Sequence, residues 1–167
     1  ADSADPPTAS WASAGGVRRQ GRDPAEAALA SAAIARWPSL AGELDADLEY
    51  RQGGQLLLAE REDELAQLEA FVAQQQAMGF ADVRLVAGAE LREIAPNLAP
   101  HVLAGSFSPA DGQADPARTT RAFAAAARRA GAEFWTHTRC LGLQLAGGRV
   151  AGALTERGEI SAGHVLL

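Results

Sequence analysis

The feature that most constrains the fold of this chain is a run of small residues near its start, Thr8–Gln20. Gly15–Gly16 interrupts any helical or strand periodicity there, so residues 1–22 are predicted to form a loop. Small side chains allow a backbone to approach a flat ligand closely, and this run ends in two cations, Arg18 and Arg19. The sequence therefore predicts a loop suited to ligand contact rather than a packed element.

Composition excludes several classes of protein. The 167 residues are 47% hydrophobic and 22% charged, which is sufficient for a domain with a packed core. The formal net charge of -6 argues against a nucleic-acid partner. Cys140 is the only cysteine, so an intrachain disulfide is excluded, and the three histidines are too widely spaced to predict a metal site. No apolar run approaches the roughly 20 residues needed to span a bilayer, so a cytoplasmic location, or one peripheral to a membrane, is expected.

Helix and strand signals alternate along the chain. Asp23-Pro24 predicts the start of a helix that Pro38 should end or kink. Residues 48–51 and 55–59 predict two strands that form a hairpin around Gly53–Gly54. Further helices are predicted at 61–78, 89–95 and 116–130, and further strands at 83–86, 101–108, 133–138, 141–145, 150–154 and 165–167. A turn at Gly147–Gly148 is predicted to join the strands at 141–145 and 150–154. The strands near 48–59, 83–86 and 101–108 are expected to build the central sheet. Together they predict an α/β fold, α+β-like, with a mixed, largely antiparallel sheet, flanking helices and βαβ character near the end.

Apolar stripes predict which sides of three helices pack inward. In the helix at 61–78 the stripe includes Leu65, Leu68 and Val72. In the first helix the stripe includes Leu29, Trp37 and Leu40. In the last helix it includes Phe123 and Ala126.

The loop at 10–20 has the residue types that a flavin site requires, because backbone amides can reach the ring edge and a cation can stabilise negative charge on the reduced ring. A glycine-containing surface loop with two solvated arginines fits the same composition, and the chain contains neither GxGxxG nor GxxxxGK to decide between them. Adjacent residues of an extended loop point opposite ways. At most one of Arg18 and Arg19 is therefore expected to clamp a substrate carboxylate.

Five segments follow one another in an order that is typical of a known superfamily. They are TASWASAGGVRRQ, YRQGGQLLLA, LREIAPNL, SPADGQADPARTTRAFAAAARRAGAEF and GGRVAGALTERGEISAGHVLL. In this order they resemble the D-amino-acid-oxidase-like superfamily of FAD-dependent oxidoreductases. That group includes glycine and sarcosine oxidases, proline dehydrogenase β subunits and hydrogen cyanide synthase subunits. The GGVRRQ form looks closest to the sarcosine and proline dehydrogenase β-subunit branch.

The resemblance implies an internal fragment of a two-domain flavoprotein, inactive by itself. Residues 1–22 would be the flavin-edge loop segment of the FAD-binding domain, 23–131 a portion of the substrate or cap domain, and 132–167 strands returning to the FAD-binding domain. The strand, glycine turn and acid that hold the FAD diphosphate and ribose in this superfamily would precede Ala1.

The resemblance also implies FAD as the cofactor and a small amino or imino acid as the substrate, with a partner subunit if the enzyme is a heteromeric dehydrogenase. The reaction would be hydride transfer from a C–H next to nitrogen to flavin N5. Arg18, and second Arg19, would carry the catalytic role of binding the substrate carboxylate or stabilising flavin O2. Cofactor contacts would come from Ser10, Trp11, Ser13, Gly15 and Gly16, and from the backbone of Cys140 on the adenine side.

Two alternatives remain open. The first is a non-catalytic subunit or interaction module that retains a flavoprotein-like fold and pairs with a partner through a sheet edge. A GxGxxG turn encoded just upstream of Ala1 would favour the enzyme, and a start codon there would favour the module. The second is an unrelated α/β fold, which the absence of a hairpin around Gly53–Gly54 would indicate.

Overall fold

The computed structural model describes residues 8–166, which form two compact units, residues 8–126 and 127–166. The helices of this part are α1 (Ala9–Ala12), α2 (Ala27–Leu44), α3 (Glu62–Ala77), α4 (Gly88–Ile94) and α5 (Pro116–Arg129). Its strands are β1 (Gly16–Val17), β2 (Gln55–Ala59), β3 (Arg84–Ala87), β4 (Ala104–Ser108), β5 (Gly112–Gln113), β6 (Cys140–Ala146), β7 (Arg149–Thr155) and β8 (Gly158–Ser161). Every pair of these strands is antiparallel, which confirms a mixed α/β fold with largely antiparallel sheets. Among the described helices, none combines the length and apolar character needed to cross a membrane.

A three-stranded sheet with the order β2-β4-β3 forms the centre of the first unit. On one face, Ala59 and Ala104 pack against Leu68 of α3. On the other face, Val86 packs against Leu91 of α4. Each helix follows a strand of this sheet almost directly in sequence and folds back over it. Three of the predicted strands therefore form the central sheet as expected.

The predicted hairpin around Gly53–Gly54 does not form. β2 pairs with β4 instead, and Arg51 makes a single antiparallel bridge with Gln113. The N–H groups that would close the hairpin are bonded elsewhere: Arg51 N–H donates to the Gln113 carbonyl at 2.8 Å, and Gly54 N–H donates to the Asp111 carbonyl at 2.8 Å. This part of the chain binds a segment distant in sequence, a pairing that a local turn signal does not reveal.

α2 continues through Pro38, so the prediction that the helix ends at this proline is wrong. A proline inside a helix removes one backbone hydrogen bond. Packing of the following turns offsets that loss, since Leu40 and Leu44 are buried against Leu48. The helix ends just before Asp45, which adopts a left-handed φ of 52°.

Two side chains that were expected to face inward are exposed. Leu29 is 75% exposed and Phe123 is 49% exposed. In α5 the buried position is Ala122, which joins the apolar cluster around Leu40. Periodicity in an alanine-rich helix selects one side only weakly, so tertiary contacts decide which residue is buried.

The second unit contains a three-stranded antiparallel sheet with the order β6-β7-β8. The predicted turn at Gly147–Gly148 is confirmed, and the two glycines adopt φ values of 57° and 76°. Residues 133–138 do not form the predicted strand, because the chain turns at His137, where φ is 52°. The third strand of this sheet is β8, which was not predicted. Of the strand predicted at 165–167, residues 165–166 form no strand and Leu167 lies outside the described residues. The sheet is a meander, so the expected βαβ character is wrong here.

Arg92 connects α4 to the loop that follows it. Its guanidinium donates at 3.0–3.2 Å to four backbone carbonyls, those of Leu98, Ala99, Pro100 and Val102. One planar guanidinium therefore provides hydrogen-bond donors to four backbone carbonyls of this loop, an arrangement that a lysine ammonium cannot reproduce.

We expect Arg92→Lys to lower the free energy of unfolding by about 1–3 kcal/mol, because carbonyls of this loop lose charge-assisted hydrogen bonds. Equilibrium urea unfolding measures the change. Arg36→Lys is the matched control, since the Arg36 side chain is 68% exposed and an ion pair such as that with Glu43 contributes little at the surface. A loss for Arg92→Lys no larger than for the control would contradict this role.

Candidate functional site

Residues 14–21, the arginine loop, are held by backbone pairing to the segment that precedes α5. β1 pairs antiparallel with β5, and next to this ladder Ala114 N–H donates to the Gly15 carbonyl at 3.0 Å. The expectation that residues 1–22 form only loop is therefore wrong for α1 and β1, while residues 1–7 lie outside the described part of the chain. Sequence reasoning missed β1 because its partner strand is distant in sequence.

The two glycines of the arginine loop are glycine for different reasons. Gly15 has a φ of +74°, and a Cβ there would lie 2.1 Å from the Ala114 carbonyl oxygen, so the backbone itself requires glycine. Gly16 is outside the left-handed region, and a Cβ there would meet no atom within 4 Å. Gly16 therefore borders open space that the packing of the described residues does not use.

Gly16 lines two cavities, and one of them, the glycine cavity, has a volume of about 430 Å³ and is also lined by Ala14, Gly53, Gly54 and Gly112. Gly53 repeats the pattern of Gly16, since a Cβ at Gly53 would also meet no atom within 4 Å. Longer polar side chains line the remainder, namely Arg51, Gln55 and Gln113. Short side chains thus leave backbone surface that a flat ring can approach closely.

The arginine loop also borders a groove along α2, with a volume of about 430 Å³. Leu29, Ala33 and Trp37 contribute to its helix wall, which accounts for the exposed Leu29. Arg18 lines the groove from the loop side, and its Nη1 donates to the Gln20 carbonyl at 2.8 Å. Arg18 therefore brings a cation to a groove whose helix wall is mostly apolar.

Arg19 is engaged elsewhere. Its Nη2 pairs with the Asp82 carboxylate, and its guanidinium carbon lies 5.0 Å from the centre of the Phe80 ring. Its Nε is buried without a hydrogen-bond partner among the described residues. The two neighbouring arginines thus contact different parts of the first unit. Their catalytic roles stay a prediction.

Buried polar side chains hold the arginine loop from within the first unit. The carboxylate of Asp111, which is 0% exposed, accepts the Arg19 N–H at 3.0 Å and the Gln20 N–H at 3.3 Å. Gln75 of α3 accepts the Gly21 N–H at 3.0 Å. The Gln20 side chain, itself 3% exposed, accepts a hydrogen bond from the Ser106 hydroxyl of β4. Three elements of the fold therefore fix the backbone and one side chain of this loop.

Sequence reasoning missed these residues as members of the site. Gln75 carries a signal that was available, because it follows Val72 by three residues on the predicted inward stripe of α3. A glutamine on such a stripe is buried only if its amide is hydrogen-bonded, so it indicates a polar partner. Asp111 carries no comparable local signal, since an aspartate before glycine is typical of any turn.

Tyr50 lies near this polar layer and stacks on Trp37 with ring centres 5.3 Å apart. Burial, and in second place the negative charge of Asp111, raise the pKa of the Tyr50 hydroxyl. Because the ordinary value is already near 10, this hydroxyl stays protonated at neutral pH. It is one of several buried polar atoms without a described partner, as are Gln55 Oε1 and Ser108 Oγ.

The remaining predicted cofactor contacts fall in two places. Ser13 follows α1 and accepts the Gly15 N–H at 3.1 Å, so it lies beside the arginine loop. Ser10 and Trp11 lie in α1, with Trp11 56% exposed. Cys140 begins β6 in the other unit, where it is exposed and borders a cavity of about 330 Å³ with Trp135. These contacts stay predictions.

Solved structures resemble this chain over most of its length. L-proline dehydrogenase from P. horikoshii has 28% identity and a TM-score of 0.80, covering 92% of this chain and 41% of that one. Glycine oxidase from Geobacillus kaustophilus has 27% identity and a TM-score of 0.80, covering 92% and 43%. Glycine oxidase from Bacillus cereus ATCC 14579 has 27% identity and a TM-score of 0.77, covering 92% and 42%. The chain thus spans about two fifths of the length of these proteins.

Comparison with the curated proteins found no match. The family model described as FAD dependent oxidoreductase, DAO, matches residues 1–167. The missing hairpin around Gly53–Gly54 therefore does not indicate an unrelated fold, and the cofactor expected from the resemblance is the one that this family uses. The chain belongs to the DAO family of FAD-dependent oxidoreductases.

Proposed function

We propose that this chain is part of an enzyme that oxidises a small amino or imino acid, with its arginine loop beside the ring end of FAD. The observation that carries the proposal is that Gly16 borders open space, although neither its φ nor the local packing requires a glycine at this position. The family supports FAD as the ligand, and the names of the similar structures, glycine oxidase and L-proline dehydrogenase, support an amino or imino acid substrate.

Bound FAD would supply the redox chemistry, taking a hydride at N5 from the C–H next to the substrate nitrogen. The protein's own residues orient the reactants and place charge. In the glycine cavity, Gly16 and Gly53 leave room for a ring edge to approach the backbone closely. Arg18 lines the α2 groove, which shares Gly16 with the glycine cavity, and there its positive charge would bind a substrate carboxylate or stabilise negative charge at flavin O2. The pairing of Arg19 with Asp82 favours Arg18 for this role.

We also propose a division of the chain into three parts. Residues 1–22 belong to the FAD-binding domain, residues 23–131 to the substrate or cap domain, and residues 132–167 return to the FAD-binding domain. The two compact units, which meet in sequence near the end of α5, support a change of role there. In this arrangement the backbone of Cys140 meets the adenine side of the cofactor.

Gly16→Val tests the ring site without disturbing the fold. Because a side chain at Gly16 enters open space, we expect the melting temperature of the FAD-free full-length protein to change by no more than about 2 °C. In the proposed complex the same side chain would occupy space that the ring edge needs, so the Kd for FAD is expected to rise at least about tenfold. Fluorescence titration with FAD measures it.

Gly42→Val is the matched control for Gly16→Val, since a Cβ at Gly42 also meets no atom within 4 Å but lies on α2, away from the cavity. Its Kd for FAD should equal that of the wild type. Equal FAD affinity of Gly16→Val and the control would contradict a ring site at Gly16.

Arg18→Ala tests the cationic role in the full-length enzyme, with glycine and L-proline as the first substrates. Losing a charge-assisted clamp of about 1.5–3 kcal/mol should raise KM roughly ten- to hundredfold, while stability changes little. Arg36→Ala, an exposed arginine on α2, should leave KM unchanged. If Arg18→Ala and Arg19→Ala both keep normal substrate saturation, the assignment of a carboxylate clamp is wrong.

A further inference from the structure

Asp111 holds the backbone on one side of Arg18. Its side chain is fully buried, and each carboxylate oxygen accepts one backbone N–H, Oδ1 from Arg19 at 3.0 Å and Oδ2 from Gln20 at 3.3 Å. Neither of these N–H groups lies in a helix or strand, so the carboxylate takes the place of the missing secondary-structure partner.

The residues that follow Asp111 hold the backbone on the other side of Arg18. Gly112 pairs with Val17, and Gln113 pairs with Gly16. Arg18 therefore lies between two anchors that come from one three-residue segment: the β1–β5 ladder before it and the carboxylate after it.

The geometry requires a carboxylate rather than an amide. Burial of an ionised side chain costs free energy unless hydrogen bonds compensate for the lost hydration. Hydrogen bonds from N–H groups to an anion are among the stronger ones in proteins. An asparagine at this position could offer its oxygen to only one of the two N–H groups, and its own NH₂ would face the other donor. The two bonds at Asp111 together fix both the position and the orientation of the peptide after Arg18.

We propose that Asp111 is a positioning residue, whose buried carboxylate fixes the backbone next to Arg18 and so sets where the Arg18 guanidinium acts. It does not touch the substrate or the cofactor. The functional half of this inference rests on the proposed role of Arg18, whereas the structural half does not.

The first test uses the wild-type full-length protein and amide hydrogen exchange followed by NMR. The amides of Arg19 and Gln20 should exchange at least about a hundredfold more slowly than unprotected amides of the same sequence, although they lie in no helix or strand. Exchange of both amides at unprotected rates would overturn the proposal, whatever the variants do.

The second test is Asp111→Asn, with Asp115→Asn as its matched control. Asp115 is four positions away and caps α5 by accepting the Arg118 N–H at 2.8 Å, so the control removes the same charge while leaving the two hydrogen bonds of the Asp111 carboxylate in place. We expect Asp111→Asn to accelerate exchange at Arg19 and Gln20 at least tenfold more than at the amides of β4. Equal acceleration in β4 would show a general loss of stability and overturn a local positioning role.

The third test is a mutant cycle on the KM of the full-length, FAD-loaded enzyme, measured with glycine and L-proline. Asp111→Asn should raise KM about tenfold in the wild type but less than about twofold in the Arg18→Ala background, because a residue acting through Arg18 has nothing left to position. Asp115→Asn should change neither value.

The outcomes separate the two proposals. If Arg18→Ala leaves KM unchanged, the proposed function of Arg18 fails, while the exchange results still decide whether Asp111 fixes the loop. If Arg18→Ala raises KM and Asp111→Asn does not, the positioning role of Asp111 is overturned and the role of Arg18 stands. Equal effects of Asp111→Asn with and without Arg18 would also overturn it.

Discussion

The described first unit depends on one long-range contact, in which residues 111–115 bind the arginine loop and residues 48–54. β1 pairs with β5, and Arg51 exchanges two backbone hydrogen bonds with Gln113. The carboxylate of Asp111 accepts the backbone N–H groups of Arg19 and Gln20 in the arginine loop. These bonds bring together segments from the beginning, the middle and the end of the unit. The glycine cavity is lined by residues of these same three segments. Gly112 belongs to this contact, since a Cβ there would lie 2.4 Å from the Arg51 carbonyl oxygen.

The glycines and the arginines near this contact fall into two groups, those that the fold itself accounts for and those that it does not. Gly15 and Gly54 are required by the backbone, since both have positive φ values and a Cβ on either would clash. Gly16 and Gly53 are free of both constraints and border the same cavity, and the ring site is proposed there for that reason. In the same way Arg19 is bound to Asp82, and Arg18 lines the α2 groove. In the proposed site, neighbouring residues of one segment would therefore serve either folding or ligand binding.

Local signals predicted the elements whose partners are near in sequence. The amphipathic pattern of α3, the Asp23-Pro24 start that precedes α2 and the β6–β7 turn at Gly147–Gly148 are as expected. The errors occur where distant contacts outweigh local preference. The hairpin at Gly53–Gly54 fails because its N–H groups bind residues 111–113, and α2 passes Pro38 because its later turns are packed.

The candidate site was predictable in its residue types but not in its support. Glycines next to arginines at 15–19 fit a ligand loop and a solvated surface loop equally, and the resemblance to a flavoprotein family favours the ligand loop. No local pattern shows that Asp111, more than 90 residues later, holds that loop, because burial of the carboxylate follows only from the folded contact. The same holds for the choice between Arg18 and Arg19, which depends on where Asp82 and Phe80 lie.

The most direct test of the account is a crystal structure of the full-length protein with FAD bound. We expect the isoalloxazine ring edge to lie in the glycine cavity, in van der Waals contact with Gly16, with the Arg18 guanidinium beside the ring or a bound carboxylate. We also expect the Asp111 carboxylate to keep both hydrogen bonds to the arginine loop. A ring bound against another surface, with the glycine cavity filled by protein side chains, would contradict the account.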